Sequence, residues 1–346
     1  MKCSLPVLVG SALIAAGCEE ALLGPPPENA PRANFDMLWK TFDENYALFP
    51  VKAVNWDSLR LLYGSMITPA TGEGDLWNLS TGLLSNLDDG HVKLMNRDFS
   101  RVYDASHLAL RKADDFSLDL VRNRYLASPG VAGAGLITYG RIRNSRVGYI
   151  HIASFVSTVG NGADWAYDID GVLRELQDTD WLILDVRNNG GGLVVTLQII
   201  ASAFIDHSIL YFWQRAKTGP KHDDFGSPVS LVVSPRAGAP GYGKSIALLT
   251  NRFSASGSEH LTGIFRTLST VTQIGDTTFG AFGDIINVAQ LPNGWTFTYP
   301  CKLTTTPDGS CYEGIGFVPD VLVRNSASDI SAGVDRVIEY AIAHIH

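Results

Sequence analysis

From residue 147 to the carboxyl end, short apolar runs alternate with stretches of helical spacing, and no other feature of the sequence restricts the fold so strongly. Residues 147–155 and 181–186 are predicted strands, with a helical stretch at 164–176 between them. A second helix is predicted over 193–205, strands over 231–233 and 246–250, and a helix over 258–268. Strands over 271–274, 285–291 and 295–299 follow, and a helix over 332–345 closes the chain. Strands separated by helices need crossover connections, so the pattern predicts an α/β core over 146–346 with helices packed on a sheet. The chain has 346 residues and is 45% hydrophobic, which is ample material for that core.

Upstream the spacing is helical throughout. Phe35, Leu38, Trp39, Phe42 and Tyr46 form one apolar stripe, and Trp56, Leu59, Leu62, Tyr63 and Met66 form another. Leu76, Leu79, Leu83 and Leu87 form a third, so residues 33–95 read as a small helical domain of three helices. Residues 96–145 are mixed in character, with a Gly-rich loop at 128–135, and read as a connecting segment.

The amino terminus reads as an export signal. Met1-Lys2 precedes an uncharged apolar run over 5–17, too short to span a bilayer as a mature helix and suited to a signal-peptide core. The run ends Leu13-Ile14-Ala15-Ala16-Gly17-Cys18, which resembles the bacterial lipobox, with Ala15 where leucine is usual. In that reading residues 1–18 are a lipoprotein signal, Cys18 is lipidated, and residues 19–32, with Pro25-Pro26-Pro27, are a stiff tether. The chain would then sit in the bacterial periplasm or on the cell surface, anchored to the membrane; a plain secretory signal cleaved nearby exports it equally well. Export puts Cys301 and Cys311 in an oxidising compartment. They flank a predicted strand and a Pro-Asp-Gly turn, so either a disulfide across a hairpin or two buried thiols is expected.

Several function classes are excluded. Thirty-five acids against 27 Lys plus Arg give a net charge of −8 with no basic cluster, which leaves nucleic acid without an electrostatic footprint. Residues 238–245, Gly-Ala-Pro-Gly-Tyr-Gly-Lys-Ser, satisfy the Walker A pattern. A phosphate-binding loop must open a helix, whereas Ile246 to Thr250 reads as a strand, so no nucleotide is expected. No metal-ligand spacing is present and no cofactor is called for.

Three segments carry chemistry. Leu182-Ile183-Leu184-Asp185-Val186-Arg187-Asn188-Asn189-Gly190-Gly191-Gly192 is a strand running into glycines, which present backbone N–H groups unobstructed, as an oxyanion site needs. Asn251-Arg252-Phe253-Ser254-Ala255-Ser256-Gly257-Ser258-Glu259 follows a strand and places a serine at a helix amino terminus, where the dipole favours developing negative charge. Leu87-Asp88-Asp89-Gly90-His91 sets an imidazole at the end of a helix.

Together these segments resemble the tail-specific, C-terminal-processing and tricorn-core serine peptidase family over roughly residues 30–346. The strand Val147-Gly148-Tyr149-Ile150 and the segment Glu313-Gly314-Ile315-Gly316-Phe317-Val318-Pro319-Asp320 extend the match. The resemblance implies a β-rich α/β spiral core like that of the Clp proteases and crotonases. It implies Ser256 as nucleophile, and an oxyanion hole from Gly257 N–H with Gly190 or Gly191.

Two departures matter. The bacterial processing proteases carry a lysine base in a Gly-Glu-x-Thr-x-Gly-Lys segment, and this chain reads Gly275-Asp276-Thr277-Thr278-Phe279-Gly280-Ala281 there. The tricorn-like branch uses a histidine and a glutamate instead, and His91 and Glu313 look like their counterparts, Glu313 helping to orient or polarise the imidazole. That branch has a serine before its histidine; this chain has Gly90. His260 is a rival base, and Asp185 and Arg187 read as structural. The connecting segment is also too short for a full PDZ domain, so tail specificity is not implied. The leading reading is an exported serine peptidase acting on a polypeptide or oligopeptide. The alternative is a catalytically inactive protein that binds a peptide or small apolar ligand on the same scaffold.

Overall fold

The first helix, α1 (Pro31–Asn45), starts at a proline, whose missing N–H costs nothing in a first turn, and buries Phe35, Leu38, Trp39 and Phe42. In α2 (Trp56–Gly64) the Asn55 side chain caps the helix by accepting from Ser58 N–H at 2.9 Å. Two acids, Glu73 and Asp75, open α3 (Glu73–Ser85), where the helix dipole favours them. These assignments come from a computed structural model that describes residues 28–107, 115–160 and 162–345. The signal sequence, Cys18 and most of the tether lie outside the described residues.

The helices do not close a core of their own. They pack on an antiparallel sheet ordered β2-β1-β12-β7-β8, with β11 also paired to β12. Its strands are β1 (Lys93–Met95), β2 (Val102–Asp104), β7 (Ile209–Ala216), β8 (Val229–Val233), β11 (Asp284–Gln290) and β12 (Thr296–Thr305). The Phe42 ring stacks on Phe297 with centroids 5.7 Å apart, and Trp77 meets Trp295 edge-on at 5.2 Å. The α2 stripe is only half used. The helix stops at Gly64, so Met66 falls beyond it, and Met66 and Leu62 are half-exposed at 52% and 51%.

The second sheet runs β13-β10-β9-β6-β5-β4-β3. It contains β3 (Gly130–Ala132), β4 (Ile137–Arg141), β5 (Val147–Ile152), β6 (Trp181–Asp185), β9 (Ile246–Thr250), β10 (Val271–Gly275) and β13 (Val321–Leu322). Pairing is parallel from β13 to β5 and antiparallel at β4 and β3. Every residue of β5, β6 and β9 is buried, because both faces are covered. On one face Ile152, Leu184 and Leu248 meet α4 (Ile169–Glu175), α5 (Val194–Ala201) and α6 (Gly257–Phe265). On the other, Tyr149, Ile183 and Leu249 meet α8 (Arg336–His344), which follows the short α7 (Ala327–Ser331).

Residues 96–145 are therefore no connector. They supply β2 to the first sheet and β3 and β4 to the second, and a boundary at residue 95 would separate the paired strands β1 and β2. The Gly238 to Ser245 loop enters β9, not a helix, and Lys244 Nζ donates to the carbonyls of Gln177, at 2.7 Å, and Thr179. Cys301 and Cys311 are both thiols, so the disulfide is not made.

Because α1 and β12 share one core, Phe42→Ala should lower the unfolding free energy by about 3–5 kcal/mol in a single transition followed by urea titration. An early, separate loss of helical signal would contradict the shared core.

Candidate active site

The parallel strands β6 and β9 end side by side, Asp185 beside Leu249, and the loops leaving them form the floor of a cleft. Beyond β6 the loop reaches Gly191 with φ +96°, and a Cβ there would lie 2.6 Å from Gly257 N and 2.7 Å from Ala255 O. Only glycine permits that approach. Three hydrogen bonds then lock the two loops together. Ser254 Oγ donates to Val186 O at 2.8 Å, Ala255 N–H to Asn189 O at 3.0 Å, and Ser258 Oγ to Asn189 O at 2.7 Å.

Ser256 is the N-cap of α6 with φ +53° and ψ −113°, a conformation of order 1–3 kcal/mol uphill for a non-glycine residue. Strand, strained serine and helix in succession form a nucleophile elbow. Ser256 Oγ lies 3.1 Å from His91 Nε2, and Ser256 N–H donates to Glu259 Oε2 at 3.0 Å.

Glu259 is fully buried and accepts four hydrogen bonds. Thr278 Oγ1 (2.7 Å) and Gly280 N–H (2.6 Å) donate to Oε1; Ala281 N–H (2.8 Å) and Ser256 N–H (3.0 Å) donate to Oε2. Burial nevertheless raises its pKa to about 7, against the lowering pull of those bonds. The segment that lacks the family lysine thus closes a backbone clamp on Glu259, which holds the serine turn. Sequence reasoning assigned Glu259 no role. Its signal was the acid three residues after an N-cap serine.

His91 leaves a tight turn after α3. Asp89 Oδ1 accepts from His91 N–H at 2.7 Å, Asp89 Oδ2 accepts from Tyr46 OH at 2.7 Å, and Thr298 Oγ1 donates to His91 O at 2.7 Å. A Cβ on Gly90 would stand 2.9 Å from the Phe279 ring, so this turn has no room for the serine of the tricorn-like branch unless that ring moves.

The structure corrects two expectations, those for Gly191 and Glu313, and places the rival His260 away from the serine. Gly191 N–H donates to Asn189 Oδ1 at 2.9 Å and is not a donor to the cleft. Among the described residues the N–H groups of Gly190 and Gly257 have no acceptor, and Gly257 N–H is the first donor of α6. Glu313 accepts from Lys52 Nζ at 3.1 Å, Phe282 N–H at 2.7 Å and Gly283 N–H at 3.0 Å, and none of its hydrogen bonds reaches the imidazole. Burial, then the Asp89 charge, raises its pKa. His260 packs edge-on against Phe212 at 4.9 Å, facing the core, which removes it as a rival base.

Asp185 and Arg187 are buried beneath the loop. Arg187 Nη2 pairs with Asp185 at 2.6 Å, Nη1 pairs with Asp335 at 3.0 Å, and Tyr149 OH donates to Asp185 at 2.8 Å. They pin the glycine loop from below, as their structural reading anticipated.

Above the pair the cleft encloses about 660 Å³, with apolar walls from Val156, Leu193, Phe253 and Phe279. A strained serine at a helix amino terminus, an imidazole within hydrogen-bond reach and paired backbone donors are the parts of a serine hydrolase. The sequence pattern of peptidase family S41 matches residues 146–323, more than half of the chain, and the chain belongs to that family.

The carboxy-terminal processing protease CtpB of Bacillus subtilis is 25% identical over 186 residues, 53% of this chain and 35% of that protein. The chain therefore spans about a third of the length of such curated relatives. Among solved structures, a candidate peptidase from Parabacteroides merdae superposes with a TM-score of 0.81 at 29% identity, covering 92% of this chain and 97% of that one. Mature CPAF shares the fold, with a TM-score of 0.70 at 12% identity over 91% of this chain and 97% of its own. These matches bear out the resemblance and the α/β fold it implied.

Glu259 makes a pH prediction. Its folded pKa of about 7 exceeds the unfolded value of 4.5, so the folded state binds the proton more tightly. The stability this group contributes is full below pH 4.5 and is lost as pH rises to about 7, a fall of roughly 3 kcal/mol. Glu313 acts in the same direction. Urea unfolding at a series of pH values should show the decline, and Glu259→Gln should flatten it; an unchanged slope in that variant would refute the assignment.

Proposed function

We propose that the chain is an exported serine peptidase of the Ser/His type, cleaving polypeptides through an acyl-enzyme. The observation that carries this reading is the 3.1 Å separation of Ser256 Oγ and His91 Nε2. In this mechanism His91 Nε2 takes the Ser256 proton as Oγ attacks the scissile carbonyl carbon. The N–H groups of Gly257 and Gly190 stabilise the oxyanion, with the amino end of α6 adding its dipole. The imidazolium returns the proton to the leaving amine, and water activated by the same imidazole then hydrolyses the ester. Strain at Ser256 favours this use over binding alone, since a non-catalytic scaffold has no need to hold a serine at positive φ.

The lipobox-like run ending at Cys18 supports export and lipid anchoring. Cys18→Ser should move the expressed protein from the membrane to the soluble fraction; an unchanged distribution would leave only the plain export signal.

A fluorophosphonate probe tests the chemistry. Ser256→Ala should abolish labelling, and His91→Ala should slow it by about 10²–10⁴-fold. Labelling of the Ser256→Ala variant would overturn the proposal.

A further inference from the structure

The turn that carries His91 is held from behind by two groups of the N-terminal helical layer, neither of which lines the cleft. Asp88 sits in the left-handed region at φ +41°, which marks the tight turn ahead of His91. Lys52 Nζ donates to Asp88 O at 3.0 Å and to Glu313 Oε1 at 3.1 Å. Tyr46 OH donates to Asp89 Oδ2, and the other oxygen of that carboxylate accepts from His91 N–H. Lys52 and Glu313 are almost fully shielded, with side-chain exposures of 10% and 0%, and Tyr46 and Asp89 are buried.

We infer that Lys52 and Tyr46 are positioning residues of the general base, which hold the Asp88 to His91 turn so that Nε2 meets Ser256 Oγ. The inference rests on the Ser/His reading and goes beyond it, because it gives the helical layer a part in the chemistry. Glu313 anchors the arrangement. Its other oxygen accepts from the backbone of Phe282 and Gly283, so the lysine ties the base turn to the strand-entry segment of the core. Glu313 then acts on His91 through Lys52 and the turn, without touching the imidazole. A buried ammonium with two such acceptors has little freedom, and an error of about 1 Å at a reacting atom is enough to cost on the order of 10²-fold in rate.

The test separates positioning from stability. For the full chain and for Lys52→Met and Tyr46→Phe, competent sites are counted by exhaustive fluorophosphonate labelling, and kinact and KI are measured per site. Lys52→Met should lower kinact by about 10–100-fold with KI within about twofold, and Tyr46→Phe should lower it severalfold. The exposed Lys40, changed to Met, should leave both constants unchanged. A kinact per site equal to the parent in both variants overturns the inference. Should Lys52→Met not fold, Tyr46→Phe decides. Should the parent itself fail to label, the Ser/His reading fails, and crystal structures decide the positioning claim separately. A His91–Ser256 separation opened from 3.1 Å to beyond hydrogen-bond range supports it, and an unchanged one overturns it.

Discussion

No side chain fits between Gly191 and the backbone of Gly257, and the layout of the site follows from that contact. Two parallel strands, β6 and β9, must end level for their loops to touch, which fixes the register of the central sheet. The touching loops share Asn189. Its carbonyl accepts from Ala255 and Ser258, and its amide holds Ile152 O and Gly191 N–H. Ser256 is forced to positive φ at the head of α6, and its Oγ lies within hydrogen-bond reach of the imidazole. The strain is tolerated because Glu259 grips the Ser256 N–H and three donors of the next segment at once.

The imidazole that faces Ser256 comes from elsewhere in the chain. His91 belongs to the turn between the N-terminal helices and the first sheet, 165 residues from the serine. What unites the two halves is a set of long-range contacts. Phe42 lies on Phe297, Thr298 holds the His91 carbonyl, and the Phe279 ring packs where a Gly90 side chain would be. The helical layer is thus built into the geometry of the site. A lysine is absent from its usual segment, and backbone N–H groups from that segment hold a buried glutamate instead.

Much of this was legible in the sequence. Strands β5, β6 and β9 read correctly because burial on both faces makes them continuous apolar runs. The serine turn and the glycine loop read correctly because small residues between a strand and a helix have few other uses. Other features had no local signature. Strand β7 mixes Gln214 and Arg215 with apolar residues and was missed, and β3 is only three residues long. The choice between Gly190 and Gly191 depends on where Asn189 turns its side chain. The Lys52–Glu313 pair joins residues 261 apart, so no spacing rule could have revealed it.

The central claim is that the His91 imidazole deprotonates Ser256. Chemical rescue tests it directly, by measuring fluorophosphonate labelling of a His91→Gly variant against added imidazole. The account predicts slow labelling without imidazole and a saturable acceleration with it, absent when Ser256 is also changed to Ala. A labelling rate that imidazole does not alter, or one already equal to the parent without it, would contradict the claim.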